Sequence, residues 1–436
     1  MASTTDRHAG DLESSVTNAV TGNPLVAGAI AVVIGAVVVG LVLAFAGVFD
    51  GEPLASNKPS AHEVAFIPDS TTRVEQLIGD VDAQTKQPIA NSTLTRFGIH
   101  GTDLGYSFEY KGRLIFLFGD TIGAKGGDAI AWSNSVDPRA PLVLDFATGP
   151  DGQYQPLQPT GVQMGPYEVP VGGIEVNGAM YVAVKSAVAR DWPTAVTILT
   201  RYDESTNTFA AIRPMSKLPG GHFITLSLKL APQGLPGLPT QEPYVLMFGS
   251  GEYRKSDAYL AAVPVAGFEN GAGTVYYTGR DGNGPKWSVL ESDAEPIIKH
   301  DTIGDLSVTF VPQAGKWIAL YDSRSPDGVL MRYANEPWGP WSDSQVIFSA
   351  PKGKGIFIHD PSRKDSDGLA GPIIAEGKQP EQVAGGYYAP YIIDRMTRME
   401  GDVLTLQYVL STWNPYVVVR MESSTRVQPP APPKAP

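Results

Sequence analysis

The sequence predicts an all-β fold, a five-bladed β-propeller, with a single N-terminal transmembrane helix. Three observations predict it. No charged side chain occurs between Ser14 and Phe49. Helical periodicity is scarce after that stretch. One apolar β pattern then recurs five times.

The N-terminal stretch comes first. From Leu25 the chain is almost wholly Val, Ala, Ile, Leu and Gly. Roughly 20 apolar residues span a bilayer core, and backbone in lipid must satisfy its own hydrogen bonds as a helix. Residues 25–49 are therefore read as a membrane anchor and residues 1–24 as a cytoplasmic segment. Ala44-Phe45-Ala46 offers a cleavage site, but signal peptides carry a basic start and a shorter apolar core. Here Arg7 stands against Asp6, Asp11 and Glu13. The expectation is a single-pass protein of the cell membrane with its C-terminal domain outside the cytoplasm. Residues 50–62 read as a linker, and the proline-rich 428–436 as an extended tail.

Residues 63–427 carry the repeat. Arg113–Gly119, Ala179–Lys185, Pro243–Gly249, Lys316–Asp322 and Asp402–Val409 share one apolar β pattern and begin roughly 65 to 85 residues apart. Each is followed by a second β run, at Asp128, Val196, Ala258, Val329 and Tyr416, and preceded by another, at Asp103, Glu168, His222, Asp305 and Tyr388. Thr274–Thr278 and Gln345–Phe348 supply a fourth run in two units. Five units of about four antiparallel strands read as propeller blades, whose radial closure protects strand edges. A pair of β-sandwiches would not repeat one pattern five times.

Composition narrows the chemistry. A net charge of −12 without a basic stripe argues against nucleic acid. The absence of cysteine removes thiol nucleophiles, thiolate metal sites and disulfides. No phosphate-cradling glycine motif and no serine-nucleophile elbow is present. No cofactor is called for and no metal ligands are assigned, with a Ca²⁺ ion among channel carboxylates left open.

Propeller geometry says where side chains meet. The first strand of each blade starts at one mouth of the channel, and the loop between strands two and three returns there. Strand starts place Asp103, Glu168, His222, Asp305 and Tyr388 around that mouth. The loops add Asp120, Arg190-Asp191-Trp192, Glu252-Tyr253-Arg254, Arg324 and Trp413-Asn414. Converging carboxylates suit glycosidic cleavage, in which one acid protonates the leaving oxygen and a second carboxylate acts at the anomeric carbon. Clustered acids also raise one another's pKa. The candidate catalytic residues are Asp103 as nucleophile or base, and Asp305 or Glu168 as general acid. Asp120, His222, Tyr253, Arg254, Tyr388, Trp413 and Asn414 are candidate substrate-binding residues. A non-catalytic polysaccharide-binding propeller and an interaction scaffold are the alternatives.

The motifs carry a family likeness. Gly101-Thr-Asp-Leu-Gly105 with Gly112-Arg-Leu-Ile-Phe-Leu-Phe-Gly-Asp-Thr121 resembles the opening of bacterial domains catalogued as domain of unknown function 4185. Tyr253–Ser256, Gly304–Val308 and Leu410–Tyr416 are similar to its later blades, and the resemblance spans His100 to Met421. That family is grouped with glycoside hydrolases as endo-acting D-arabinanases, glycoside hydrolase family 183. The resemblance implies a five-bladed propeller that cleaves α-D-arabinofuranosyl links in cell-wall D-arabinan, within arabinogalactan and lipoarabinomannan.

Overall fold

The computed structural model describes residues 63–428 except 163–167, 188–193, 352–354 and 376. The cytoplasmic segment, the anchor at 25–49, the linker, the tail beyond 428 and Arg190-Asp191-Trp192 lie outside the described residues. Among the described residues, no helix is long and apolar enough to cross a membrane.

The chain opens with β1 (Val64–Phe66) and β2 (Thr72–Gln76), followed by a short helix α1 (Thr93–Phe97). Blade 1 is β3 (Ile99–Tyr110), β4 (Arg113–Gly123), β5 (Ala129–Ser133) and β6 (Asp145–Phe146). Blade 2 is β7 (Val169–Val176), β8 (Ala179–Ser186), β9 (Val196–Asp203) and β10 (Thr208–Lys217). Blade 3 is β11 (Thr225–Leu230), β12 (Tyr244–Ser250), β13 (Ala258–Pro264), β14 (Val275–Asp281) and β15 (Gly284–Ser288). Blade 4 is β16 (Leu306–Val311), β17 (Lys316–Arg324), β18 (Asp327–Ala334) and β19 (Gln345–Phe348). Blade 5 holds β20 (Tyr387–Ile392), β21 (Arg398–Glu400), β22 (Val403–Trp413) and β23 (Tyr416–Val427).

All five sheets are antiparallel meanders, as the repeat predicts. Blade 5 differs in its outer edge, because β1 and β2 from the opposite end of the domain pair with β23. This seam closes the ring and joins the chain's start to its end. It was not legible in the repeat, which assigns each blade its own consecutive strands. Behind β23, Arg420 is almost fully buried, with its Nε 2.8 Å from Glu75 Oε1. Its guanidinium also donates to the carbonyls of Pro138 and Ala140.

The first strands β3, β7, β11, β16 and β20 neighbour one another in a ring around the axis. Their inward edges, facing the axis, have no sheet partner, so hydroxyls bridge them. The amides of Val308 and Ile392 donate to Ser227 and Ser307 (3.0 Å each), and the amide of Leu228 donates to the Tyr106 hydroxyl (3.0 Å). Tyr106 meets Tyr391 edge-on at 5.3 Å, which fills the channel below the mouth. Aromatic contacts such as Phe248–Trp317 at 5.5 Å join the faces of neighbouring blades.

Candidate active site

The mouth of the channel is a cavity of about 600 Å³ lined by Asp103, Asp120, Lys185, Tyr253, Arg254, Asp305, Arg324, Tyr388 and Trp413, among others. Its walls are bent where the side chains must turn inward. The β3–β4 ladder shifts register around Asp103, and the β20–β22 ladder shifts between Tyr388 and Tyr391. Such bulges re-aim side chains at the rims of closed sheets. Leu104, Asp120, Arg254 and Ala389 all hold left-handed backbone, with φ of 62°, 38°, 57° and 55°. Strain of this kind costs energy and collects at functional sites. Gly119 faces Asp103 across the ladder; a Cβ there would lie 2.8 Å from the carboxylate and displace it.

Asp103 is buried, and Tyr388 donates to its Oδ2 at 2.7 Å. Its Oδ1 has no hydrogen-bond partner among the described residues. Burial, and then the charge of Asp120, push its pKa up to about 7, against the lowering effect of the Tyr388 and Tyr416 hydroxyls. Those hydroxyls are not equivalent: Tyr416 lies close enough to act on Asp103, yet its hydroxyl makes no hydrogen bond of good geometry among the described residues. Asp305 is differently held. Tyr253 donates to Oδ2 at 3.1 Å and Tyr391 to Oδ1 at 3.2 Å, so both oxygens are occupied. Burial and the neighbouring Asp322 raise it to about 6, while Lys185 and Arg254 pull it down. Arg254 grips Asp322 through Nε at 3.1 Å and Nη2 at 2.7 Å, and Asp322 in turn accepts from the Asp305 amide at 2.8 Å.

Asp120 is half-buried in the wall, raised by burial and lowered by Lys185. Its amide donates to the buried Asp128 at 3.1 Å, whose carboxyl is pushed well above the usual range by burial, then by Asp120 and Glu168. Lys185 is buried among these acids. Desolvation brings it down to about 8, although Asp305, Asp120, Asp103 and Asp128 all favour its charged form. Among the described residues, no group of three or more His, Asp or Glu side chains is arranged to hold a metal ion.

The structure therefore brings Asp103, Asp120, Asp305, Tyr253, Arg254, Tyr388 and Trp413 to one cavity. Three sequence-derived candidates sit elsewhere. Glu168 does not line the cavity; it stands just before β7 behind Asp120, with a buried Oε2 lacking a partner among the described residues. His222 lies three residues ahead of β11 and lines a separate groove, stacked on Tyr259 at 4.0 Å. Asn414 is fully buried, not a ligand group. It accepts from the Gly371 amide (2.7 Å) and donates to the Pro380 and Val383 carbonyls (2.8 and 2.7 Å), which clamps the loop ahead of β20. Lys185, Asp128, Asp322, Tyr391 and Tyr416 were missed. Lys185 and Asp322 had a signal: each interrupts an apolar run at the mouth end of a blade's second strand.

The family described as Domain of unknown function (DUF4185) matches residues 89–422. The chain belongs to this family. The matched span contains the whole cavity and begins after β1 and β2, so the seam strands lie outside it. No curated protein matches the chain. Several solved structures are similar to it. One is a protein of unknown function from Dyadobacter fermentans, at 11% identity and a TM-score of 0.38 over 83% of this chain and 100% of that one. A second is a GH43_1 enzyme from Xanthomonas citri complexed with xylotriose, at 10% identity and a TM-score of 0.39 over 74% and 87%. A third is a mutant α-L-arabinanase from Cellvibrio cellulosa, at 11% identity and a TM-score of 0.37 over 74% and 90%.

Proposed function

We propose that this family member is a glycoside hydrolase that cuts a polysaccharide at the propeller mouth. The observation that carries the reading is the state of Asp103: buried in the wall of the cavity that Asp120 also lines, and raised by that burial and the Asp120 charge to about 7. Two carboxyls so placed share one proton near neutral pH, with one serving as acid and the other as base or nucleophile. Asp103 takes the acid role, a change from its sequence-based role as nucleophile or base, because burial favours its neutral form. Asp120 takes the other role, because it reaches solvent more and Lys185 favours its ionised form. Asp103 protonates the leaving oxygen as the glycosidic bond breaks, and the Asp120 carboxylate attacks the anomeric carbon or activates the water that does. Asp305 becomes a positioning carboxylate fixed by two tyrosines, a change from its sequence-based role as general acid. Trp413 offers a ring face for sugars, whereas the Tyr253 ring is covered by the Arg254 guanidinium at 4.6 Å and acts through its hydroxyl on Asp305.

Within this reading the substrate is cell-wall D-arabinan, which the motif resemblance supports. The run at 25–49 supports a single-pass anchor that holds the propeller outside the cytoplasm, next to lipid-linked or nascent arabinan. The test is digestion of purified arabinogalactan with product analysis. The wild-type chain is expected to release arabino-oligosaccharides, and Asp103→Asn to lose that release by about 10²- to 10⁴-fold. Retention on arabinogalactan with no product from the wild type would make the chain a binder instead.

A further inference from the structure

The groove that receives His222 is a second built concavity, of about 770 Å³. Three segments form it: the β10–β11 connection around Leu218–His222, the β12–β13 loop, and His300-Asp301 ahead of β16. In a meander blade all three return to the face on which the first strands begin, so the groove opens beside the active-site mouth. The 251–257 loop is its near wall and serves both sides. Tyr253 and Arg254 line the cavity, whereas Glu252, Lys255, Ser256 and Asp257 line the groove. Arg254, on the cavity side of the loop, holds left-handed backbone with φ of 57°. At the base of the loop the chains nearly touch: a Cβ on Gly251 would lie 2.7 Å from the Gly221 carbonyl.

The lining indicates what fits. His222 and Tyr259 form a half-buried stacked pair with rings 20° from parallel. Glu252, Asp257 and Asp301 supply acceptors, and the one lysine, Lys255, is paired with Glu252. His300 Nε2 bonds Ser323 at 2.8 Å, and burial holds both histidines below their ordinary pKa, which favours their neutral rings. An excess of acceptors repels phosphate, sulfate and uronate groups. Flat rings beside carboxylates suit neutral polyhydroxyl ligands, whose C–H faces stack and whose hydroxyls donate.

We infer that this groove is a remote subsite for neutral sugar residues of the same polysaccharide chain, reached by crossing the Tyr253–Arg254 wall. The inference rests on the hydrolase reading and extends it: the enzyme holds a long chain across two concavities, so affinity grows with chain length. His222 then touches substrate after all, away from the bond that is cut.

The experiment uses the full-length chain carrying Asp103→Asn to stop turnover. The probes are size-fractionated oligosaccharides from partial acid hydrolysis of arabinogalactan, with binding read by calorimetry. Affinity is expected to rise with length. Adding Tyr259→Ala should weaken the long probes by roughly tenfold, the effect of removing about 50 Å² of buried ring face. Short probes should bind as before, and Tyr259→Phe should keep the gain. His222→Ala attacks the same stack from its other member and should reproduce the loss. Long-probe affinity unchanged in both alanine variants overturns the subsite while leaving the hydrolase reading intact. Failure of every probe to bind, with no product from the wild type, overturns the hydrolase reading and the subsite with it.

Discussion

Two buried charge clusters in this propeller use the same residue types to opposite ends. At the seam, Arg73 meets Asp82 at 2.6 Å, and Arg420 meets Glu75 at 2.8 Å. Gln407 and two backbone carbonyls complete the Arg420 shell. At the mouth and in the layer just behind it, Asp103, Asp120, Asp128, Glu168, Asp305 and Asp322 crowd Lys185 and Arg254, and three of those acids keep a buried oxygen without a partner among the described residues. Matched charges fix geometry. Mismatched charges leave protons that can be moved, at a cost in stability that the rest of the fold must offset. The separation is incomplete, because burial still raises Glu75 despite Arg420 beside it.

The sharpest break comes from deleting one member of each cluster. Arg420→Ala empties a buried site on the strand that closes the ring and leaves the half-buried Glu75 without its nearest cation. A loss of about 3–5 kcal/mol in unfolding free energy is expected, read by urea denaturation. Asp103→Asn removes a strained, like-charged neighbour, so its midpoint should equal or exceed that of the wild type even though turnover collapses. A destabilised Asp103→Asn would mean that the mouth is built as the seam is.

The two regions should also respond oppositely to pH. Asp103 and Asp305 rise from 3.8 to about 7 and about 6 on folding. The folded state then binds more protons between those values, so this contribution is fully present below pH 3.8 and is lost as pH rises through 6 and 7. Asp82 runs the other way. Hydrogen bonds from Thr85 and Arg73 outweigh its burial and hold it below 3.8, so its contribution is present above that value and lost as pH falls through the lowered one. Urea midpoints from pH 3 to 8 should show Asp103→Asn flattening the decline between about pH 4 and 7. Arg73→Ala should flatten only the acid side. A shared effect of both variants on one limb would contradict the division.

How much of this was legible follows from the same contrast. Blade count and strand order were legible, since each blade repeats a local apolar pattern with period 2. So was the convergence of Asp103, Asp120, Asp305, Tyr388 and the Tyr253-Arg254 pair, because mouth positions follow from strand order alone. The seam was not, because β1 and β2 pair with a strand more than 300 residues away and nothing local marks it. Asn414 misled for a related reason: a polar residue in a mouth loop reads as a ligand group until its three buried partners are seen. His222 was placed by assuming that its strand begins where its apolar run does, whereas β11 starts at Thr225.

The smallest expected effect bears on Lys185, the cation that keeps the mouth from being wholly mismatched. It favours the ionised forms of Asp120 and Asp305, and its own proton is loosened by burial. Replacing it with methionine, which keeps the length and removes the charge, should raise both carboxyls further. If Asp120 must be ionised to act, the acid limb of the kcat/KM profile moves to higher pH. The alkaline limb, set by Asp103 near 7, should move less, because Asp120 and burial dominate that group. Activity near pH 6 should therefore fall several-fold while activity at the new optimum changes little. A uniform loss at every pH, with neither limb displaced, would make Lys185 a packing residue and leave the proton shared by Asp103 and Asp120 alone.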